Sequence, residues 1–209
     1  MDSIPLPILV SALGGAVAAL FLRAFFKFIS KLLVELKPLA AYGCADSPSK
    51  RPGILIGIVS HGKGRKVDDK RAINKRAWEH SLDPAEANRM HTIYGPYVND
   101  FGKPGFYKVR FRIYGEGFSD DESPVVILDV IQRPVFMKDD DLVLLGQRVV
   151  RAKDLSPKYK GFDVYCYVAG SGTYEYRCLV IAESFEPDKH RLRFDVIRVY
   201  NHVPGWDIF

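Results

Sequence analysis

Cysteine is scarce in this chain. Cys44, Cys166 and Cys178 are the only three among 209 residues, and no two form a CxxC pair. That spacing excludes a disulfide framework and a cysteine-based zinc site. The plain reading is three reduced thiols, with Cys166 and Cys178 as small core residues. A second reading stays open. Cys166 and Cys178 fall on neighbouring predicted strands with a glycine-rich link between them, and a hairpin there sets them face to face. A disulfide at that place implies an oxidising compartment.

The familiar catalytic spacings are also missing. His61, His80, His91, His190 and His202 show neither HExxH nor HxH spacing, and no GxSxG elbow occurs. His61-Gly-Lys-Gly-Arg65 lacks the GxxxxGK[ST] frame that cradles phosphates. The acidic runs Asp120-Asp121-Glu122 and Asp139-Asp140-Asp141 lack the EF-hand frame and lie in apparent turns, where Asp is ordinary. The sequence therefore points away from an enzyme, and no metal or cofactor is expected.

Charge is absent from residues 4–22, and Arg23, Lys27 and Lys31 follow at once. Nineteen uncharged residues are just enough to cross a bilayer as helix. The expected segment is a membrane helix from about residue 6 to 28, with an amphipathic extension to Lys37. Arg23, Lys27, Lys31 and Glu35 recur every fourth residue and form one polar stripe. Pro38 ends the helix. An interfacial helix is the alternative, because Pro5, Pro7 and Gly14-Gly15 weaken the span. Positive charge lies only C-terminal to the run, which places the N-terminus outside and the large domain on the cytoplasmic side. Ser11, Gly15 and Ala19 form a small-residue face of the kind on which membrane helices associate. That face invites a protein partner or a second copy of the chain.

Net charge is +5, and the excess is local. Lys63, Arg65, Lys66, Lys70, Arg71, Lys75 and Arg76 stand against Asp68 and Asp69 alone. Arg23, Lys27, Lys31, Lys63, Arg65 and Lys66 are the candidate contacts for anionic membrane lipid. No aromatic interleaving or reader motif accompanies them, so nucleic acid is not the expected partner. The alternative is a solvated loop. Organisation follows: a membrane segment at 1–38, a linker at 39–52, and a β domain at 53–209 with a basic loop at 61–76.

What is abundant is aromatic. Eleven Tyr and thirteen Phe favour strands. Residues 106–114 alternate strictly, with Tyr107, Val109, Phe111 and Ile113 on one face and Lys108, Arg110 and Arg112 on the other. Further strands are expected at 53–59, 125–131, 147–151, 162–168, 174–181 and 191–200, with Gly, Pro, Asp and Ser in the gaps. Fold class is mainly β: an antiparallel sandwich preceded by one helix.

The order of segments carries a resemblance. Arg76-Ala-Trp78 and His91-Thr-Ile-Tyr-Gly-Pro-Tyr97 lead into Gly105-Phe-Tyr-Lys-Val-Arg-Phe-Arg-Ile113. Val126-Ile-Leu-Asp-Val130, Arg148-Val-Val-Arg-Ala-Lys-Asp154, Tyr159-Lys-Gly-Phe162 and Leu192-Arg-Phe-Asp-Val-Ile-Arg-Val199 follow. Over residues 76–200 this resembles the carbohydrate-binding-module-like, galactose-binding-type jelly roll. The resemblance implies a two-sheet antiparallel sandwich and an activity of binding rather than catalysis, with a glycan as the natural ligand. Trp78, Tyr94, Arg110 and Arg112 are expected to line one site, the rings stacking on sugar faces and the guanidinium groups bonding hydroxyls or anions. Tyr165 and Tyr167, on the polar-phase face of their strand with Asp163, are expected to form a second patch. For each the alternative is structural: core packing for Trp78, a solvated sheet face for the arginines, cross-strand packing for the tyrosines. At the level of the whole chain the alternatives are an accessory subunit of a membrane complex and an oligomerising membrane effector or sensor.

Overall fold

The computed structural model describes residues 22–25, 38–44, 49–51, 54–58, 60–62, 64–81, 91–95, 101, 103–133, 142–170 and 172–201. The chain divides into two units, Met1–Lys37 and Pro38–Phe209. In the first, residues 22–25 are helical and exposed, Arg23 among them. The rest of the expected membrane helix lies outside the described residues, as do Lys27, Lys31, the Ser11/Gly15/Ala19 face and Lys63. Among the described residues no helix is long and apolar enough to cross a membrane.

Among the described residues the second unit has thirteen strands. They are β1 (Ala40–Gly43), β2 (Ser49–Arg51), β3 (Ile54–Ile58), β4 (Ser60–His61), β5 (Arg65–Asp68), β6 (Arg76–Glu79), β7 (His91–Tyr94), β8 (Gly105–Glu116), β9 (Pro124–Arg133), β10 (Val143–Arg151), β11 (Lys160–Val168), β12 (Thr173–Val180) and β13 (Arg191–Asn201). The larger sheet runs β11-β8-β13-β1-β3-β2, with β6 on β13 and β5 on β6; the smaller runs β10-β9-β12-β7-β4. Pairing is antiparallel except between β1 and β3, which lie parallel.

Alternation decides which side chains meet between the sheets. On β8, Tyr107, Val109, Phe111 and Ile113 are buried, as are Phe162, Val164, Cys166 and Val168 on β11. Opposite them stand Val126, Leu128 and Val130 of β9, with Tyr174, Tyr176, Cys178 and Val180 of β12. Burying each larger aliphatic or aromatic side chain stabilises the fold by about 1.5–3 kcal/mol, which sets the register of the whole face.

Strand β13 breaks its alternation to serve both sides. Phe194 pairs with Ile113 and Ile197 with Phe111, so Asp195 and Val196 together oppose Arg112. The bulge keeps Phe194 and Ile197 in the core and turns Asp195 and Val196 outward.

The structure differs from the sequence reading at two places. Residues 39–52, small and polar enough to read as a linker, contain β1 and β2. Ala41 and Tyr42 are buried, and β1 lies in the middle of the larger sheet between β13 and β3. Small residues there fill a crowded position rather than free a hinge. Second, β11 and β12 do not form a hairpin: β11 pairs β8 in one sheet, β12 pairs β9 and β7 in the other. All three cysteines are buried, and no disulfide joins them. The basic segment also has structure, since β5 and β6 form a hairpin across residues 65–79.

Candidate functional site

The outward face of the larger sheet is built by three adjacent strands. Register across β11, β8 and β13 sets up rows of side chains. Tyr167 lies opposite Phe106. Tyr165 lies opposite Lys108, which lies opposite Tyr200. Asp163 lies opposite Arg110, which lies opposite Arg198. Gly161 lies opposite Arg112, beside the bulge.

One end of this face is closed. The loop between β5 and β6 lays Arg71 over the Tyr114 ring at 4.5 Å, and Arg112 lies over the Tyr159 ring at 4.6 Å. Asp69 gathers this end together. It accepts from the Arg71 backbone N–H at 3.0 Å and from Arg71 Nε at 3.1 Å, Arg193 Nη1 at 3.0 Å and the Tyr159 hydroxyl at 3.1 Å. Burial alone pushes the Asp69 carboxyl upward, but these donors, Arg71 first, hold it well below the usual carboxylate range. Burial and the Asp69 charge raise the Tyr159 phenol, so it stays a hydrogen-bond donor. Arg193 also reaches Glu79 at 2.7 Å. This charged cluster is satisfied internally and serves as a buttress.

The other end is open. Phe106, Tyr165 and Tyr167 are 48%, 45% and 50% exposed, unusual values for large rings in mid-strand. Phe106 and Tyr167 pack ring against ring with centroids 4.9 Å apart. Lys108 Nζ lies 5.5 Å from the Tyr200 ring centroid. Arg110 donates from Nε and Nη2 to the two Asp163 oxygens at 2.6 and 2.7 Å. Asp163 raises the Arg110 pKa, so the guanidinium is permanently charged. Arg112 donates to Asp195, which also accepts from the Ile73 backbone N–H at 3.0 Å. Burial raises the Asp195 pKa; the Ile73 amide and Arg112 offset part of that rise. Between these strands lies a cleft of about 180 Å³ lined by Arg110, Arg112, Gly161, Val196 and Arg198.

The sequence-selected residues are regrouped by the fold. Arg110 and Arg112 share one face with Tyr165 and Tyr167, so the two expected patches are one surface. Trp78 stands on β6, partly buried, and packs on the core. Tyr94 belongs to β7 in the smaller sheet, whereas Arg110 and Arg112 stand on β8 in the larger. Arg65 is exposed and pairs Glu79 at 3.1 Å; Lys66 is exposed on the same hairpin. Phe106, Lys108 and Arg198 belong to the face and were not selected. The alternation of residues 106–114 already placed Phe106 and Lys108 in phase with Arg110, whereas Arg198 is found only through strand pairing.

The outward face of the smaller sheet offers less. There Asp129, Ile131 and Glu175 are buried, and Arg177 grips Asp129 with bonds of 2.8 and 2.7 Å. A second cleft, about 250 Å³, lies at the end of the sandwich between Phe118, Asp121, Glu183 and His190. His190 stacks on Phe118 at 4.3 Å, and its Nδ1 accepts the Glu186 backbone N–H. Asp121 accepts from Ser119 and the Ser123 backbone, as in an ordinary turn. Among the described residues no group of three His, Cys, Asp or Glu is placed to hold a metal ion.

No protein-family model matches the chain, and no curated protein does. Among solved structures it is similar to a family 35 carbohydrate-binding module from an environmental isolate. Identity is 12%, the TM-score is 0.44, and 78% of this chain and 93% of that one are covered. It is also similar to the C-terminal family 6 module of a laminarinase from Zobellia galactanivorans, at 12% identity and TM-score 0.35, covering 66% and 100%. A third similarity is to the xylanase 10B modules of Clostridium thermocellum complexed with xylohexaose. Identity there is 10% and the TM-score 0.41, over 68% of this chain, which spans 24% of that structure's length.

Proposed function

We propose that this protein binds an extended carbohydrate-like ligand on the open face of its larger sheet, without transforming it. The observation that carries this reading is the half-exposed ring strip Phe106, Tyr165 and Tyr167, continuous with the cations of Lys108 and Arg110. From Phe106 to Arg112 the strip runs about 20 Å at the usual strand rise, a length suited to a chain rather than to one small molecule. Rings offer flat apolar surface to the C–H face of a sugar, and the guanidinium and ammonium groups offer donors to its hydroxyls. Such a surface orients a ligand; the site residues named here include no nucleophile beside a base.

The test is a binding screen of the full-length chain against soluble polysaccharides, read by calorimetry. Tyr165→Ala with Tyr167→Ala is expected to weaken binding at least tenfold while the melting temperature holds. Binding that is indifferent to both substitutions sinks the proposal.

A second reading, a protein-docking module within a membrane assembly, draws on strand β10. At the edge of the smaller sheet it exposes Val143, Leu144 and Val149, and Leu142 just before it is exposed too. Leu144→Lys is expected to abolish co-purification of a partner under that reading and to leave saccharide binding untouched under the first. Membrane attachment, with the N-terminus outside and the sandwich on the cytoplasmic side, is part of the proposal and rests on the uncharged run at 4–22.

A further inference from the structure

The cleft floored by Gly161 holds three arginines, and they are not equivalent. Arg110 commits Nε and one hydrogen of Nη2 to Asp163 and keeps Nη1. Arg112 commits Nη1 to Asp195 and shares it and Nη2 with the Arg71 carbonyl, keeping Nε. Among the described residues no hydrogen bond or ion pair is made by the Arg198 side chain, although it stands directly across from Arg110 and half-buried. Its charge helps to lower the Asp195 pKa.

Two carboxylates hydrogen-bond two of the three cations, and Arg198 reaches Asp195 through space alone. The Asp195 side chain is fully buried and that of Asp163 is 15% exposed. One positive charge remains, with a whole guanidinium fork. The first two arginines are held in place by their own acids, so little side-chain entropy is lost when a ligand binds. Gly161 completes the seat. A Cβ there would lie 2.9 Å from Arg110 Cδ, so a larger residue would push the Arg110 stem from its present place.

We infer that this cleft binds the ester sulfate or phosphate group of an acidic saccharide. An ester of that kind presents three terminal oxygens, and three guanidinium groups, two on β8 and one on β13, offer several N–H donors to one cleft. A carboxylate, planar and with two oxygens, is saturated by one fork. The strands are about 4.8 Å apart and alternate residues about 7 Å apart, so the three arginines line a cleft on the scale of one tetrahedral group. The inference rests on the face being a saccharide site and names the substituent that site selects.

The experiment titrates the full-length chain with a sulfated polysaccharide, its chemically desulfated counterpart, vesicles carrying a phosphomonoester lipid, and inorganic sulfate. The sulfated chain is expected to bind at least tenfold tighter than the desulfated one. Arg198→Gln is expected to cut the sulfated chain's affinity at least tenfold and the desulfated chain's affinity by less than threefold, and Arg198→Lys to restore part of the difference. Equal affinity for both polysaccharides overturns the inference and leaves saccharide binding standing. Arg198-dependent binding of inorganic sulfate without any polysaccharide binding removes the saccharide reading and overturns the inference as stated, leaving a bare anion site. Arg198-dependent binding of the vesicles alone replaces the saccharide with a lipid headgroup and overturns it likewise.

Discussion

Arg110 grips Asp163 with two parallel hydrogen bonds, 2.6 and 2.7 Å long, straight across the ladder between β8 and β11. The Arg110 side chain is 44% exposed, so the pair adds at most about 1 kcal/mol to stability. Its effect is positional: it holds the guanidinium beside the cleft. Asp163→Asn is expected to lower the melting temperature by less than about 4 °C. Affinity for the saccharide ligand is expected to fall about fivefold, the equivalent of about 1 kcal/mol. Calorimetric titration and thermal melting of the same preparation separate the two effects. A large loss of stability with unchanged affinity makes the pair a structural feature only.

Asp69 sets the acid limit of the fold. Its carboxyl titrates lower in the folded chain than in the unfolded one, because Arg71, Arg193 and Tyr159 donate to it. A group depressed in this way contributes stability at pH values above its unfolded pKa, about 3.9. That contribution is lost as pH falls toward the folded value. Asp195 acts with the opposite sign. Burial raises its folded pKa, so its charged form costs stability at neutral pH, and the cost is relieved as pH falls. The descent in stability at acid pH therefore belongs to Asp69 together with Glu79, which Arg193 and Arg65 also hold below the usual carboxylate value. Asp69→Asn is expected to cost about 3 kcal/mol at pH 7, the usual result of breaking one member of a buried charge cluster. It is also expected to flatten the decline between pH 4 and pH 2. Urea midpoints at pH 7, 4 and 3 check both, and an unchanged acid slope rules the assignment out.

The strands that alternate were legible in the sequence. Tyr107, Val109, Phe111 and Ile113 face inward and Arg110 and Arg112 outward because a half-buried sheet enforces period two. The stretches at 162–168 and 174–181 obey the same rule. Strand β1 was not legible, since Ala40-Ala-Tyr-Gly43 is too short to show a period and its composition matches a loop. Its place between β13 and β3 comes from long-range pairing. The bulge at Asp195 and Val196 was hidden for the same reason: it appears only when Phe194 and Ile197 are both seen to need the core. The site divides along that line. Tyr165, Tyr167, Arg110 and Arg112 were visible as outward residues, but nothing local says that β11 lies beside β8 or that Arg198 faces Arg110.

The three thiols are expected to be silent. Cys166 is buried beside Tyr107, and burial pushes its thiol up to about 12; Cys178, deeper still, is raised further. The thiolate is the reactive species, so a thiol reagent at pH 8 is expected to label none of the three in the native chain and all three in 6 M guanidinium. Cys178→Ser is expected to cost about 1–3 kcal/mol, because a hydroxyl replaces a sulfur in an apolar site. Rapid native labelling at Cys166 contradicts the placement of β11.

Attachment to the membrane is the prediction that reaches furthest from the sandwich. If helical, nineteen uncharged residues would run about 29 Å, near the thickness of the bilayer hydrocarbon. The stripe of Arg23, Lys27, Lys31 and Glu35 begins where that length runs out. Two outcomes follow from two mechanisms. A spanning helix buries its apolar surface in hydrocarbon, so the full-length chain stays in the pellet after both 1 M salt and alkaline carbonate. A helix lying on the headgroups is held in part by Arg23, Lys27 and Lys31, and screening at 1 M salt shortens the reach of those charges to about 3 Å. The spanning arrangement is the expected one. In sealed vesicles with the cytoplasmic side enclosed, added protease is then expected to leave residues 38–209 intact until detergent is added. Digestion of the sandwich before detergent reverses the proposed orientation, and release by salt alone replaces the span with a surface helix.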